Sequence, residues 1–234
     1  MTQRLQDLKR FYAALERLER AQGKPRLLRE CHGRLRWPSR GVYFFFEPNE
    51  MRTDSGTGSR VVRVGTHALK TYSKSKLWSR LRQHRGNVKN SGGNHRGSIF
   101  RLLTGQALIS AGKLTSETWG IGQSAVSETR KRETEAERVV TERMSELSLL
   151  WLPIEDDPGP QSRRGFVERN SIALLSNFHR EALDAPSSGW LGRHSDRPKV
   201  RESGLWNSDH VDEHHTADFL HTFEQLVLTI ETNP

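Results

Sequence analysis

Gly41-Val42-Tyr43-Phe44-Phe45-Phe46-Glu47 and Arg60-Val61-Val62-Arg63-Val64-Gly65 are two apolar runs, separated by a stretch carrying Pro48, Asn49, Asp54, Gly56 and Gly58. Aromatic and β-branched side chains dominate both runs and suit extended chain, whereas the residues between them favour turns. The pair therefore reads as a long β-hairpin. Placing Phe44 opposite Val62 sets Tyr43 opposite Arg63 on one face, with Phe46 near Arg60 and Val42 near Val64.

Helical periodicity takes over on both sides of the hairpin. Leu5, Leu8, Phe11, Leu15 and Leu18 recur at spacings of three and four, which predicts an amphipathic helix ending near Gly23. After the hairpin, Lys74–Arg85 reads as a helix. Leu77, Leu81 and His84 fall in one narrow sector with Arg80 beside them, while Lys76 and Gln83 face solvent. Arg80 and His84 are thus directed toward the protein body. Residues 87–97 form a basic loop rich in Gly, Asn and Ser. Helices are expected over 99–111, over the charged 127–146 and over 166–176, and a buried strand with Trp151 over 147–154. Past Asp184 the chain reads as irregular until a last amphipathic helix over 217–231, built on Phe219, Phe223, Leu226, Val227 and Ile230.

The bulk composition narrows the partner. The chain has 234 residues, 33% hydrophobic and 28% charged, and its apolar residues cluster into periodic segments, so it reads as folded. Lys plus Arg number 37 against 28 Asp plus Glu, a formal charge of +9 that favours a polyanion such as nucleic acid. Cys31 is the only cysteine, which excludes an intramolecular disulfide and a Cys-based zinc site. The charged N-terminal segment does not read as a signal peptide, and no apolar run approaches the roughly 20 residues that span a bilayer. The expected location is the cytoplasm.

Several side chains then stand out for their chemistry. Glu168 shares a helical face with Ile172 and Leu175, so its carboxylate needs either an arginine partner or a hard metal ion. Arg80 has the planar fork that clamps phosphate, and His84 could orient a nucleophile or shuttle a proton. Tyr43 is a poor base at neutral pH unless a cation such as Arg63, or a metal, lowers its pKa. His210 and His214 stand four apart, with His215 adjoining, but no third zinc ligand is evident at a suitable spacing. A Walker loop and a Ser-His-Asp elbow are absent. So is an Asp…Glu-x-Lys pattern, because Arg169 and Asn170 follow Glu168.

In this order the residues resemble the GIY-YIG nuclease superfamily. Gly41-Val42-Tyr43 is similar to its first motif, Arg63-Val64-Gly65 to its second, and Arg80-x-x-x-His84 to its helix motif. Glu168 is similar to the metal-binding glutamate and Asn177 to the late asparagine. Arg63 replaces the second-motif tyrosine, a departure shared with some restriction enzymes of the superfamily. A long insertion, about 87–146, separates the helix motif from Glu168.

The resemblance implies an α+β fold: a small central antiparallel sheet of three strands flanked by helices, with added N- and C-terminal helices. One domain is expected over 1–234, with an N-terminal helical extension (1–37), a nuclease core (38–180) and a C-terminal extension (181–234). It implies hydrolysis of DNA phosphodiesters, double-stranded DNA foremost, with magnesium or manganese held by Glu168. Tyr43 would activate or position water, assisted by Arg63 and by His67 or His84, and Arg80 would stabilise charge on the phosphoryl oxygens. Asn177 would support the site. Arg80, Arg82, Arg85, Lys89 and Arg96 are the expected DNA contacts. A restriction or mobile-element nuclease is the expected role, and that branch suggests a homodimer. The alternatives are a non-catalytic nucleic-acid-binding module that retains the fold and a nuclease acting on RNA.

Overall fold

The computed structural model describes residues 2–232. The chain runs α1 (Gln3–Gln22), β1 (Arg26–Leu27), β2 (Gly41–Met51), β3 (Ser59–Gly65), α2 (Leu77–Arg85) and α3 (Ile99–Ser110). It continues through α4 (Ser127–Arg132), α5 (Thr134–Ser145), β4 (Ser148–Pro153), α6 (Arg163–Leu175), α7 (Pro198–Ser203) and α8 (Phe219–Thr232). Thr2 caps α1 by accepting from the Leu5 amide, and Gly23 ends it at a φ of +88°. No helix among the described residues is long and apolar enough to cross a membrane.

The sheet order is β1-β4-β2-β3 and every pairing is antiparallel. Three strands form its centre, as expected. The two-residue β1 adds a fourth at the β4 edge, pairing Arg26 with Leu149 and Leu27 with Ser148. Helices cover both faces. Val42, Phe44, Phe46, Leu150 and Leu152 pack with α1, α6 and α8, while Tyr43, Phe45, Val62 and Leu149 pack with α2, α3, α5 and Trp206. Burial on both sides explains why β2 is apolar at successive positions instead of alternating. β2 is also longer than expected, continuing through Pro48 to Met51.

The hairpin register differs from the expectation. Tyr43 lies opposite Gly65, Phe44 opposite Val64 and Phe45 opposite Arg63. The offset is two residues, so Tyr43 and Arg63 keep a common face but sit diagonally, not directly opposite. Space is the reason. A side chain at Gly65 would run into the Tyr43 hydroxyl and ring, so the glycine leaves the floor on which the phenol lies. Past Phe45 the pairing skips Val62, and Phe46 meets Val61. This bulge turns both Val62 and Arg63 toward the same face. Gly65→Ala is expected to lower stability by about 1–3 kcal/mol, the usual range for overpacking, and to displace the Tyr43 hydroxyl. Melting curves of Gly65→Ala alone and combined with Tyr43→Ala, which removes the colliding ring and hydroxyl, check it.

Two expected segments differ, and a third is anchored more firmly than its composition suggests. The helix expected over 127–146 is two helices, broken at Glu133, whose buried carboxylate is drawn aside by Arg96 and Thr118. The segment after Asp184 contains α7, opened by Pro198, and it buries Trp190, Val200 and Trp206. The 87–97 loop is tied down: Asn87 N–H donates to the Gly92 carbonyl, and buried His95 bonds to Glu137.

The outer edge of β3 is paired by the chain around Trp206. Trp206 N–H donates to the Val62 carbonyl at 2.8 Å. The Asn207 amide side chain both accepts from Val64 N–H at 3.1 Å and donates to its carbonyl at 2.9 Å. This surrogate strand satisfies an edge that would otherwise be open. It also brings residues 207–210 alongside Arg63.

Candidate active site

A cleft of about 480 Å³ opens where the β3 end, α2, α6 and the 207–210 segment meet. Arg63, His67, Lys70, Arg80 and Glu168 line it, together with Asn207, Asp209 and His210. Glu168 stands on α6, whose N-cap Ser162 accepts from the Gly165 amide. One Glu168 oxygen accepts from Thr66 N–H at 3.0 Å. Among the described residues no protein donor bonds to the other oxygen and no cation pairs with it, so the arginine partner that would have neutralised Glu168 is not there. Burial pushes the Glu168 pKa up, only partly offset by Arg63, the Thr66 amide, His210 and Arg80.

Arg63 is buried, with its guanidinium 4.9 Å above the Phe100 ring and donating to the Trp206 carbonyl. Its Nε has no partner among the described residues. Burial lowers the Arg63 pKa, but an arginine stays cationic at neutral pH. Arg80 is half-buried and donates through Nη1 to Gln83 and to the Gly97 carbonyl, which anchors one side of its fork. The residue also lines the cleft.

Tyr43 lies behind this wall. It is 1% exposed, and its hydroxyl is 2.8 Å from His84 Nε2, while His84 Nδ1 is 2.7 Å from Ser98 Oγ. Ser98 is also the N-cap of α3, accepting from the Arg101 amide, so the chain of bonds ends on a fixed helix terminus. Burial raises the Tyr43 pKa, and Arg80 and Arg63 pull it down without overcoming that. His84 is driven well below its usual pKa by burial and by Arg80, Arg63 and Arg101, so it is neutral.

His67 has its pKa lowered to about 4, chiefly by burial. Its Nε2 faces the Ser39 carbonyl at 3.3 Å, which can only accept, so the single proton sits there. Among the described residues Nδ1 has no partner, so its lone pair is buried and free.

A family model described as a GIY-YIG domain matches residues 2–233. The chain belongs to the GIY-YIG family. No curated protein and no solved structure matches it. The family makes the chain a nuclease of the GIY-YIG type, and such nucleases work on DNA with divalent metal ions. The match extends over the terminal helices as well as the hairpin, in keeping with the way α1 and α8 pack on the sheet.

The donor set suits one hard cation. No group of three His, Cys, Asp or Glu side chains able to hold a metal occurs among the described residues. What Glu168 offers is one free hard oxygen in a cleft that the cationic side chains of Arg63, Lys70 and Arg80 also line. Magnesium accepts that arrangement, since it commonly takes one or two carboxylates and completes its shell with water and phosphate.

The other residues singled out in the GIY-YIG sequence are placed as follows. Asn177 is away from the cleft, accepting from Arg4 at 2.8 Å and bonding the Leu183 backbone in both directions. Arg96 is turned to Glu133 in a two-pronged pair at 2.6 and 2.8 Å, so its charge is already matched. Arg85 is held by the Cys31 carbonyl over the Trp78 ring. Arg82 and Lys89 are exposed. The three histidines near the C-terminus diverge: His210 bonds to Glu213, His215 to Asp7, and His214 is exposed, so they form no zinc site. Asn207, Asp209 and His210 escaped the sequence reading as cleft residues, because nothing in the pattern of that segment marks its pairing with β3.

Proposed function

We propose that this chain is a metal-dependent endonuclease that hydrolyses DNA phosphodiester bonds in the cleft around Glu168, in a restriction or mobile-element system. The observation that carries this reading is the Glu168 oxygen left without a protein partner in a cleft lined by Arg63, Arg80 and Lys70. Magnesium or manganese held there would polarise the phosphoryl oxygen and stabilise the leaving oxygen. Glu168 positions that charge against the scissile phosphate. Arg80 and Arg63 bind the phosphoryl oxygens and offset the charge that builds up on them. Tyr43, His84 and Ser98 act as a fixed hydrogen-bonded backing that holds Arg80 and the wall of the cleft in place. Arg63, in the second-motif tyrosine's position, adds a cation where that motif otherwise supplies a phenol. Each chain carries one Glu168, so cutting both strands calls for two copies, and a homodimer on the substrate is the expected arrangement.

A substrate panel tests this reading. Duplex DNA should be cut with magnesium, and chelator should stop the reaction. Preferential cleavage of RNA would overturn the substrate assignment, and binding without cleavage of any substrate would leave a binding module. DNA affinity should fall linearly on a log–log plot as salt rises. Arg82→Ala and Lys89→Ala should each reduce that slope by about 1. Arg96→Ala should leave the slope unchanged and lower the melting temperature instead, because it strands buried Glu133. Binding isotherms at several salt concentrations check all three.

A further inference from the structure

Tyr72 stands in the connection between β3 and α2, and the chemistry proposed above leaves it unused. It is 90% exposed, the most exposed of the large apolar side chains among the described residues. The turn that carries it is hydrogen-bonded: Ser73 N–H donates to the Lys70 carbonyl at 3.1 Å, and the Ser73 hydroxyl accepts from the Ser75 amide at 3.4 Å. Tyr72 is the third residue of that turn and has a φ of +61°, whereas Thr71 before it is not in the positive region. A turn of this shape ordinarily takes glycine or asparagine at its third place. Ala68, earlier in the same connection, also has a positive φ, +58°. A bulky aromatic side chain in the left-handed region is an outlier, and such outliers cluster at ligand clamps and other functional sites.

The charges around it fit a polyanion. Lys70, Lys74 and Lys76 flank the tyrosine, all three are exposed, and among the described residues none is ion-paired. No Asp or Glu occurs in the chain between Asp54 and Glu117, so β3, this turn, α2 and the loop after it contribute positive charge alone. The turn is also joined to the cleft at both ends, because Lys70 before it and Ser75 after it are cleft residues. Two chain steps of 3.8 Å keep the Tyr72 Cα within about 8 Å of the Lys70 Cα. DNA seated with a phosphate in the cleft therefore brings neighbouring base pairs to the turn. The lysines match its phosphates, and the exposed ring matches the flat face that every base presents.

Resting on the nuclease reading for the place of the scissile phosphate, we propose that Tyr72 is a base-stacking contact. Its ring wedges against a base of duplex DNA beside the cut site, while Lys70, Lys74 and Lys76 bind the flanking phosphates. An aromatic or aliphatic wedge of this kind partly unstacks a base step, and the backbone contacts around it fix the register of the duplex on the protein. The stiff turn matters here, because a ring held out before DNA arrives loses little freedom on binding. Tyr72 is a positioning residue: it touches no reacting atom, and it sets which phosphate lies over Glu168. Stacking tolerates any base, so the contact governs register more than sequence.

Photocrosslinking tests the contact. The full chain is bound to duplex plasmid fragments carrying 5-bromouracil in place of thymine, without magnesium so that binding is read apart from cleavage, then irradiated and digested with trypsin. Crosslinked DNA should map to Tyr72, in the peptide 71–74, and the crosslink should vanish in Tyr72→Ala. The Kd for the same duplex should rise about 5- to 150-fold in Tyr72→Ala, the range that base–aromatic stacking contributes, with the salt slope unchanged. Tyr72→Phe keeps the ring and should bind like the wild-type protein. Tyr72→Gly suits the positive φ, so it should melt no lower than wild type and yet bind DNA as weakly as Tyr72→Ala. Crosslinks confined to other residues would overturn the proposal. So would wild-type affinity in Tyr72→Ala, or a Tyr72→Phe as weak as Tyr72→Ala, which would reduce the contact to the hydroxyl. A wild-type protein that gives the Tyr72 crosslink but cuts no DNA with magnesium would overturn the nuclease reading alone.

Discussion

Glu168→Gln should melt at a higher temperature than the wild-type protein at neutral pH while losing DNA cleavage. The first half follows from linkage. Burial raises the Glu168 pKa, so the folded protein holds that proton more tightly than the unfolded chain does. As pH rises from the ordinary glutamate value of about 4.3 through the raised folded value, the unfolded chain ionises more readily and stability falls. Above the folded value the loss is complete. Glutamine carries no charge to desolvate, so the variant escapes this penalty at neutral pH, and the difference should close as pH drops below about 4. Melting curves across that range check the sign. Magnesium should stabilise the wild-type protein and leave the variant unchanged, because only the former binds the ion. On the catalytic side, losing a metal effect of several kcal/mol corresponds to a rate loss of at least about 10²–10³. DNA binding should persist, since the substitution removes a negative charge from a basic protein.

Arg80→Ala should lower kcat by about 10²–10³, the usual consequence of removing one preorganised donor from a developing oxyanion. Its side chain is fixed by Gln83 and the Gly97 carbonyl before any substrate arrives, so little reorganisation is left for the reaction itself. Arg80→Lys should recover only part of the loss, because an ammonium group cannot reproduce the planar fork. Single-turnover rates at saturating DNA separate this effect from weaker binding. A variant whose KM rises while kcat holds would make Arg80 a general DNA contact.

Much of the fold is legible because its elements have strong periodic signals. β2, β3 and β4 are apolar runs bounded by turn residues, and α2 and α6 carry Arg80, His84 and Glu168 on faces that the helical repeat alone directs inward. The hairpin register was harder. Offsets of zero and two place the same residues on the same faces, and the choice between them depends on the Tyr43 ring lying across Gly65, a contact that alternation does not encode. The bulge at Val62 is equally silent in the pattern. Glu133 interrupts a continuous helical signal because Arg96, distant in sequence, draws its side chain aside, and the same pairing removes Arg96 from the set of free cations. The cleft was half visible for a related reason. Arg63, Arg80 and Glu168 lie on periodic elements, whereas Asn207, Asp209 and His210 arrive on an irregular segment fixed by backbone bonds to β3. Solvent access to Tyr43 depends on how α2 and β3 close over it, which no single helix wheel reports.

The measurement that bears most directly on the whole account is cleavage of supercoiled plasmid by wild-type protein and Glu168→Gln, side by side, as magnesium is titrated. Wild-type protein should convert the plasmid to nicked and linear forms at a rate that saturates with magnesium and stops on chelation, while Glu168→Gln leaves it supercoiled throughout. Plasmid left intact by wild-type protein under magnesium and manganese, or cut equally by both proteins, would contradict it.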